Sequence, residues 1–231
     1  CLDLGRRCAH VIPATLPYFT APRDHTDVNC ERRQRSSRCG TAHFGTARIV
    51  QSVWGYRKMW KHSGKIFEMH EFTLPQLEYV TRALWFDICP TVKAACETDG
   101  LDFLAGMHAA AHALCATVPL RVMCDPAEDI STEHPSPYQQ RARPLRVVIY
   151  ERRPGGVGIC DAVFAAGVGA LLDGALSRVR DCSCTLGCPG CVHDRGCSEH
   201  NYVIDKAAAL RILEAIRARH RAAEAEAPRA V

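Results

Sequence analysis

The stretch Cys182-Ser-Cys-Thr-Leu-Gly-Cys-Pro-Gly-Cys-Val-His-Asp-Arg-Gly-Cys197 holds five cysteines in sixteen residues. The chain has fourteen cysteines in 231 residues, so nine are spread over everything else. A cluster with a scatter reads as one metal site plus ordinary buried thiols in a reducing compartment. The spacing Cys184-x3-Cys188-x2-Cys191-x5-Cys197 offers four soft ligands for a tetrahedral zinc, with Cys182 as an alternative first ligand. Pro189 sets one φ of the knuckle, and Gly190 is expected to free the next. An iron–sulfur cluster also takes four thiolates, and spacing alone leaves that alternative open. A site closed by four thiolates has no position for water, so its expected role is structural. Arg180, Arg195 and Lys206 stand close enough in sequence to offset its negative charge.

Downstream, Asp205 is a candidate N-cap for a last helix carrying Leu210, Leu213 and Ile216, with 217–231 expected to fray. Upstream, Phe164, Val168, Leu171, Leu172, Ala175, Leu176 and Val179 lie at helical spacing. Leu145 to Tyr150 is the strongest strand pattern in the chain. It leads into Pro154-Gly155-Gly156-Val157-Gly158, which reads either as a tight strand-to-helix turn or as a phosphate cradle flanked by Arg152 and Arg153. Residues 101–118 read as a helix that puts His108 and His112 on one face, followed by a short buried strand, Leu120 to Cys124. The pair has metal-ligand spacing, but Ala109 stands where a zincin has its Glu. Residues 126–144 read as a loop, with Asp125 and Asp129 at its edge. Residues 41–90 read as β-rich, with a hairpin turn at His62-Ser-Gly-Lys65. Residues 1–40 read as a partly irregular lead-in, in which Arg32, Arg33, Arg35 and Arg38 lie on a solvated or phosphate-facing loop. The fold class expected is α+β. Its β-rich first half packs on a helix–strand–helix second half (91–216) that carries the four-cysteine zinc site.

Composition narrows the function. Apolar residues make up 47% and charged residues 23%, as in globular proteins. Net charge is +4, from 29 Lys+Arg against 25 Asp+Glu, which permits a nucleic-acid partner without requiring one. No apolar run approaches the roughly 20 residues of a membrane span. The first residues lack the apolar core of a signal peptide. They also lack an initiator Met, and the chain reads as a piece of a longer protein. The expected address is intracellular: the nucleus in a eukaryote, the cytoplasm or nucleoid in a bacterium. No Gly-Lys-Ser or Gly-Lys-Thr occurs, so the chain is not expected to hydrolyse ATP alone.

The cysteine stretch, followed by Asp205-Lys206 and a helix, resembles the C-terminal zinc-binding domain of MrfA-type DNA-repair helicases, superfamily-two enzymes related to the RecQ-like Hrq group. Tyr150 through Gly158 is similar to that family's Tyr-x-x-x-Pro-Gly-Gly-Val-Gly turn. Gly106 through Ala113 is similar to its Gly-x-His-Ala-x-Glu-His-Ala helix, with Ala111 in place of the Glu. Gly55-Tyr-Arg-Lys58, Thr81-x-Ala83-x-Trp85 and Tyr18 to Val28 match blocks of its preceding β region. The resemblance covers most of 15–215. It implies zinc, an upstream pair of RecA-like lobes, 3′-to-5′ translocation on single-stranded or forked DNA, and a role in DNA repair. Arg57, Lys58, Arg152 and Arg153 are the phosphate-contact candidates, by charge and loop position. The rival reading is a stand-alone zinc-stabilised interaction module.

Overall fold

A computed structural model describes residues 2–3, 5–135, 144–197 and 199–226. The stretch 136–143 of the expected loop and the end 227–231 of the expected frayed tail lie outside the described residues. The chain divides into two compact units: Cys1–Asp27 with Val50–Glu78, and Val28–Ile49 with Tyr79–Val231.

The first unit is a β ribbon. Strands β1 (Leu2–Asp3) and β2 (Cys8–Ala9) form a short antiparallel pair. Two long strands, β3 (Tyr18–Ser36) and β4 (Ala42–Trp60), contribute residues to both units. In this unit β4 turns at the expected His62–Lys65 hairpin, where Trp60 N–H donates to the Lys65 carbonyl, and pairs with β5 (Ile66–Glu71). The register sets Tyr56 opposite His70 and Lys58 opposite Glu68, with a bulge between Lys58 and Met59. Cross-strand rings hold the ribbon: Tyr56 stacks on His70 at 4.8 Å and Trp60 on Phe67 at 4.2 Å. The fully buried apolar side chains among the described residues all belong to the second unit.

The second unit is a sheet covered by helices. Strand order is β3-β4-β6-β8-β7, with β6 Leu77–Asp87, β7 Ile130–Glu133 and β8 Arg146–Glu151. In the β6–β8 register Ala83 lies opposite Tyr150 and Trp85 opposite Val148. Ala83, Trp85, Val148 and Tyr150 cluster on one face with Val28, Ala47 and Ile49. Strand alternation turns Leu84, Phe86, Val147 and Ile149 to the other face, where they meet the helices.

Helix α1 (Pro90–Thr98), for which the sequence carries no clear signal, precedes the central helix α2 (Phe103–Thr117). Nearly all of α2 is buried, because α4 (Val168–Arg180) and α5 (Lys206–Ala225) pack against it. Gly106 makes that contact possible: a Cβ there would meet the Ala208 Cβ at 2.4 Å. By length and composition, Phe103–Leu120 is apolar enough to cross a membrane, with mean hydropathy 1.4, unlike the sequence expectation. It is 78% buried inside the protein, which is what the all-round apolar surface of a core helix requires.

Several local expectations are corrected. Arg32, Arg33 and Arg35 lie in β3, while Arg38 sits in the turn that follows it; Arg35 lies over Phe44 and Phe164 while pairing with Asp161. Leu120 to Cys124 forms no strand: α2 tightens into a 3₁₀ turn (Val118–Leu120), leaving Leu120 and Met123 exposed. A strand, β7, forms instead inside the expected 126–144 loop. The single helix expected up to Val179 is two, α3 (Ile159–Ala165) and α4, bent by 97° where Gly167 takes φ 94°. Helix α5 starts at the expected cap, Asp205, which accepts from the Ala208 N–H at 2.9 Å. It then continues to Ala225, past the point where the sequence predicts fraying. Arg217 is buried and binds Asp173 with two nitrogens at 2.8 and 2.9 Å and Glu224 at 2.9 Å.

His220, also buried on α5, shares a 3.0 Å hydrogen bond with the Thr41 hydroxyl. Burial holds its imidazole below the usual 6.5, with Arg217 and Arg219 adding to the effect and Glu224 opposing it. The unfolded chain therefore takes up a proton near 6.5 that the folded chain resists. The stability from neutral His220 is complete above that pH and is lost as pH falls below it. His220→Gln should flatten this acid limb, measured as melting temperature from about pH 7.5 to about pH 5 against wild type. Parallel curves would contradict the assignment.

Candidate metal centre

The chain leaves α4 at Arg180 and enters α5 at Lys206, and the metal-site loop lies between them. Its backbone wraps one carbonyl: Cys188 O accepts from the N–H groups of Cys191, Val192 and His193 at 3.0–3.2 Å. Around this knuckle it is Gly187 that takes a positive φ, 112°, and not Gly190 as the sequence suggests. A Cβ at Gly187 would meet Val192 at 2.7 Å. Arg178 ties the knuckle to α4, donating to the carbonyls of Cys191 at 3.1 Å and Pro189 at 3.3 Å.

Four sulfurs converge: Cys182, Cys184, Cys188 and Cys191 lie within 4.8 Å of one another. The closest approaches are 3.5 Å (Cys182–Cys184 and Cys182–Cys188), 3.4 Å (Cys184–Cys191) and 3.7 Å (Cys188–Cys191). A tetrahedron of thiolates about 2.3 Å from one zinc has edges of about 3.8 Å, so the group is the size of a single-ion site. An iron–sulfur cluster places several irons and sulfides between its thiolates and holds them farther apart. All four thiols are free of disulfides. The donor set fits structural zinc.

The electrostatics prepare the site. Burial works to raise the Cys184 thiol, but hydrogen bonds from Cys191, Cys182 and Cys188 overcome it and bring it down to about 7. Cys191 is pushed the other way by burial and the neighbouring thiols. One thiol of the group thus ionises readily, and the others follow as the metal displaces their protons. Of the three cations anticipated nearby, Lys206 makes the contact. Its ammonium donates to the Cys182 and Cys184 carbonyls at 2.6 Å and lies 3.6 Å from the Cys184 sulfur. Arg180 pairs with Glu214 instead.

Of the sequence candidates, the structure brings Cys184, Cys188 and Cys191 together with Cys182. It places Cys197 elsewhere, with its sulfur 3.3 Å from His108 Nε2. The five-residue spacer before Cys197 does not return to the knuckle. Asn201 folds it into a separate turn by bonding the backbone of Asp194 at 2.8 and 2.9 Å.

The glycine-rich turn after β8 is not an open phosphate cradle. The buried Glu151 carboxylate already accepts from the N–H groups of Val157, Gly158 (3.0 Å) and Cys160 (2.9 Å). The strand thus supplies its own anion to the start of α3. Gly156, with φ 74°, lets the loop close over it. Arg152 Nε donates to the Ile130 carbonyl at 2.9 Å. Arg153 pairs with Asp129 at 3.2 Å while its side chain remains 62% exposed. Asp129 also accepts from the Asp125 N–H at 2.9 Å, so the two acids close a turn. Arg57 and Lys58 belong to the other unit, where Lys58 pairs with Glu68 at 2.8 Å.

Comparison with known proteins agrees with this geometry. Residues 110–192 match the MrfA Zn-binding domain family, a span that ends just beyond the four convergent cysteines. The chain is 28% identical over 223 residues to the ATP-dependent helicase HRQ1 of Saccharomyces cerevisiae, covering 91% of this chain and 20% of that protein. It is 26% identical over 236 residues to the ATP-dependent helicase hrq1 of Schizosaccharomyces pombe, covering 95% and 22%. The chain thus spans about a fifth of the length of these curated relatives. Its fold is similar to the crystal structure of the DUF1998 helicase MrfA bound to DNA, with TM-score 0.60 at 20% identity over 92% of this chain and 27% of that one. Four thiolates arranged for one zinc thus lie at the end of the span that matches the MrfA Zn-binding domain, on a fold similar to that of the helicase MrfA.

Proposed function

We propose that this chain is the zinc-pinned accessory module of an ATP-dependent 3′-to-5′ DNA helicase that acts in DNA repair. In that protein it would buttress RecA-like lobes and guide a single or forked strand. The lobes would supply ATP binding, and the address would be the nucleus in a eukaryote. The observation that carries the reading is co-linearity with a helicase along 91% of this chain, with a closed four-cysteine site in its interior. The chain itself contributes shape and charge rather than chemistry.

Arg153 is the foremost phosphate contact, because its guanidinium is exposed and its partner, Asp129, holds it at the surface. Arg152, Arg57 and Lys58 remain candidates that must exchange an internal partner or add a phosphate to it. The full chain should bind forked DNA with an affinity that falls linearly on a log–log salt plot. Arg153→Ala should reduce that slope by about 1. ATP-dependent strand separation is expected only of the intact protein. Absence of salt-dependent DNA binding would overturn the reading in favour of a zinc-stabilised protein-interaction module.

A further inference from the structure

Beside the four-cysteine centre, a second set of metal-binding atoms converges: His108 and His112 of α2 with Cys197 of the following turn lie within 4.8 Å of one another. Both imidazoles are buried. His108 Nδ1 lies 2.8 Å from the Val203 carbonyl, and His112 Nδ1 lies 2.8 Å from the Val192 carbonyl. A carbonyl only accepts, so each Nδ1 carries the hydrogen and each neutral ring keeps its lone pair on Nε2. An Nδ1–H tied to a backbone carbonyl, leaving Nε2 free, is how proteins orient a histidine towards a metal.

The third ligand is held in place as well. Cys197 Sγ stands 3.3 Å from His108 Nε2 and accepts the Asn201 N–H at 3.3 Å. Burial favours the neutral thiol there, and the Asn201 and Glu199 N–H groups oppose it by favouring the thiolate. Asn201 itself sits at φ 58°, locked onto Asp194, so the turn that presents the sulfur is specified by side-chain bonds. A cavity of about 570 Å³ opens directly on this group, with His134 stacked on His108 at 4.3 Å and Glu199 facing it.

We propose that His108 Nε2, His112 Nε2 and Cys197 Sγ form a second transition-metal site, of the zinc class, whose fourth position opens into the cavity. Two imidazoles and a thiolate are the mixed nitrogen–sulfur set that divalent zinc and cobalt take. Binding replaces the Cys197 thiol proton with the metal and releases that proton to solvent. Unlike the closed four-cysteine site, this one keeps room for water or an exogenous ligand.

The test is metal content, independent of DNA binding. The full chain, reconstituted with Zn²⁺ alone and freed of excess, should hold two zinc ions, against one in Cys197→Ser and in His112→Gln. EDTA should remove the open-site ion first. One zinc per wild-type chain overturns the proposal, as does retention of two in either variant. Should the variants fail to fold, zinc-edge X-ray absorption of the wild type decides. Imidazole scattering beside sulfur is expected, and sulfur-only ligation overturns the site.

Discussion

Cys191→Ser is expected to release the zinc of the four-cysteine centre and unfold the second unit. Its sulfur is buried and makes two of the four close sulfur contacts, so serine removes a ligand and leaves three thiolates with an unmet cation. Structural zinc contributes on the order of 10 kcal/mol of folding free energy, comparable to the whole stability of a domain. Zinc per chain and the thermal transition should both collapse, and a chelator on the wild type should reproduce the effect. A Cys191→Ser protein with full zinc and unchanged melting would refute the centre. The geometry also ranks the neighbours. Cys182→Ser should resemble Cys188→Ser, whereas Cys197→Ser should leave the four-cysteine zinc in place.

Glu151→Ala should cost about 3–5 kcal/mol without touching any metal ligand. One carboxylate, fully buried, satisfies the N–H groups of Val157, Gly158 and Cys160, the donors a helix start leaves over. Alanine strands three donors in the interior, and it opens a void beside Gly156. Urea unfolding should show a lower midpoint at unchanged slope, and zinc content should remain full. A loss under about 1 kcal/mol would mean that the turn rearranges to find other acceptors. Glu151→Gln should fall between, since an amide oxygen replaces part of the carboxylate.

Much of this architecture is legible in the residues. Leu145 to Tyr150 is apolar almost throughout because the strand has a helix-covered face and a second packed face. Asp205 announces α5, because an aspartate before an Ala- and Leu-rich run accepts a free N–H of the first turn, here that of Ala208. The misreadings share a cause. Residues 32–36 read as a loop since charge dominates them, yet exposed strand positions accept arginine when the backbone is paired. Residues 217–225 read as frayed since nothing in them is apolar enough to pack. Arg217 is nevertheless buried, through Asp173 on another helix, forty-four residues away.

That this protein holds a thiolate metal centre, where the centre lies, and that helices flank it were all written in the order of its residues. Cysteine spacing, proline and capping residues act over a few positions and need no distant partner. Which cysteines meet was settled by packing. A five-residue spacer permits Cys197 to return to the knuckle or to leave it. The choice is made by α2, whose buried His108 lies eighty-nine residues away in sequence and meets the sulfur only once α2 is packed. The same packing filled the glycine-rich turn with Glu151, because a buried carboxylate and a helix start satisfy each other only when the fold brings them together.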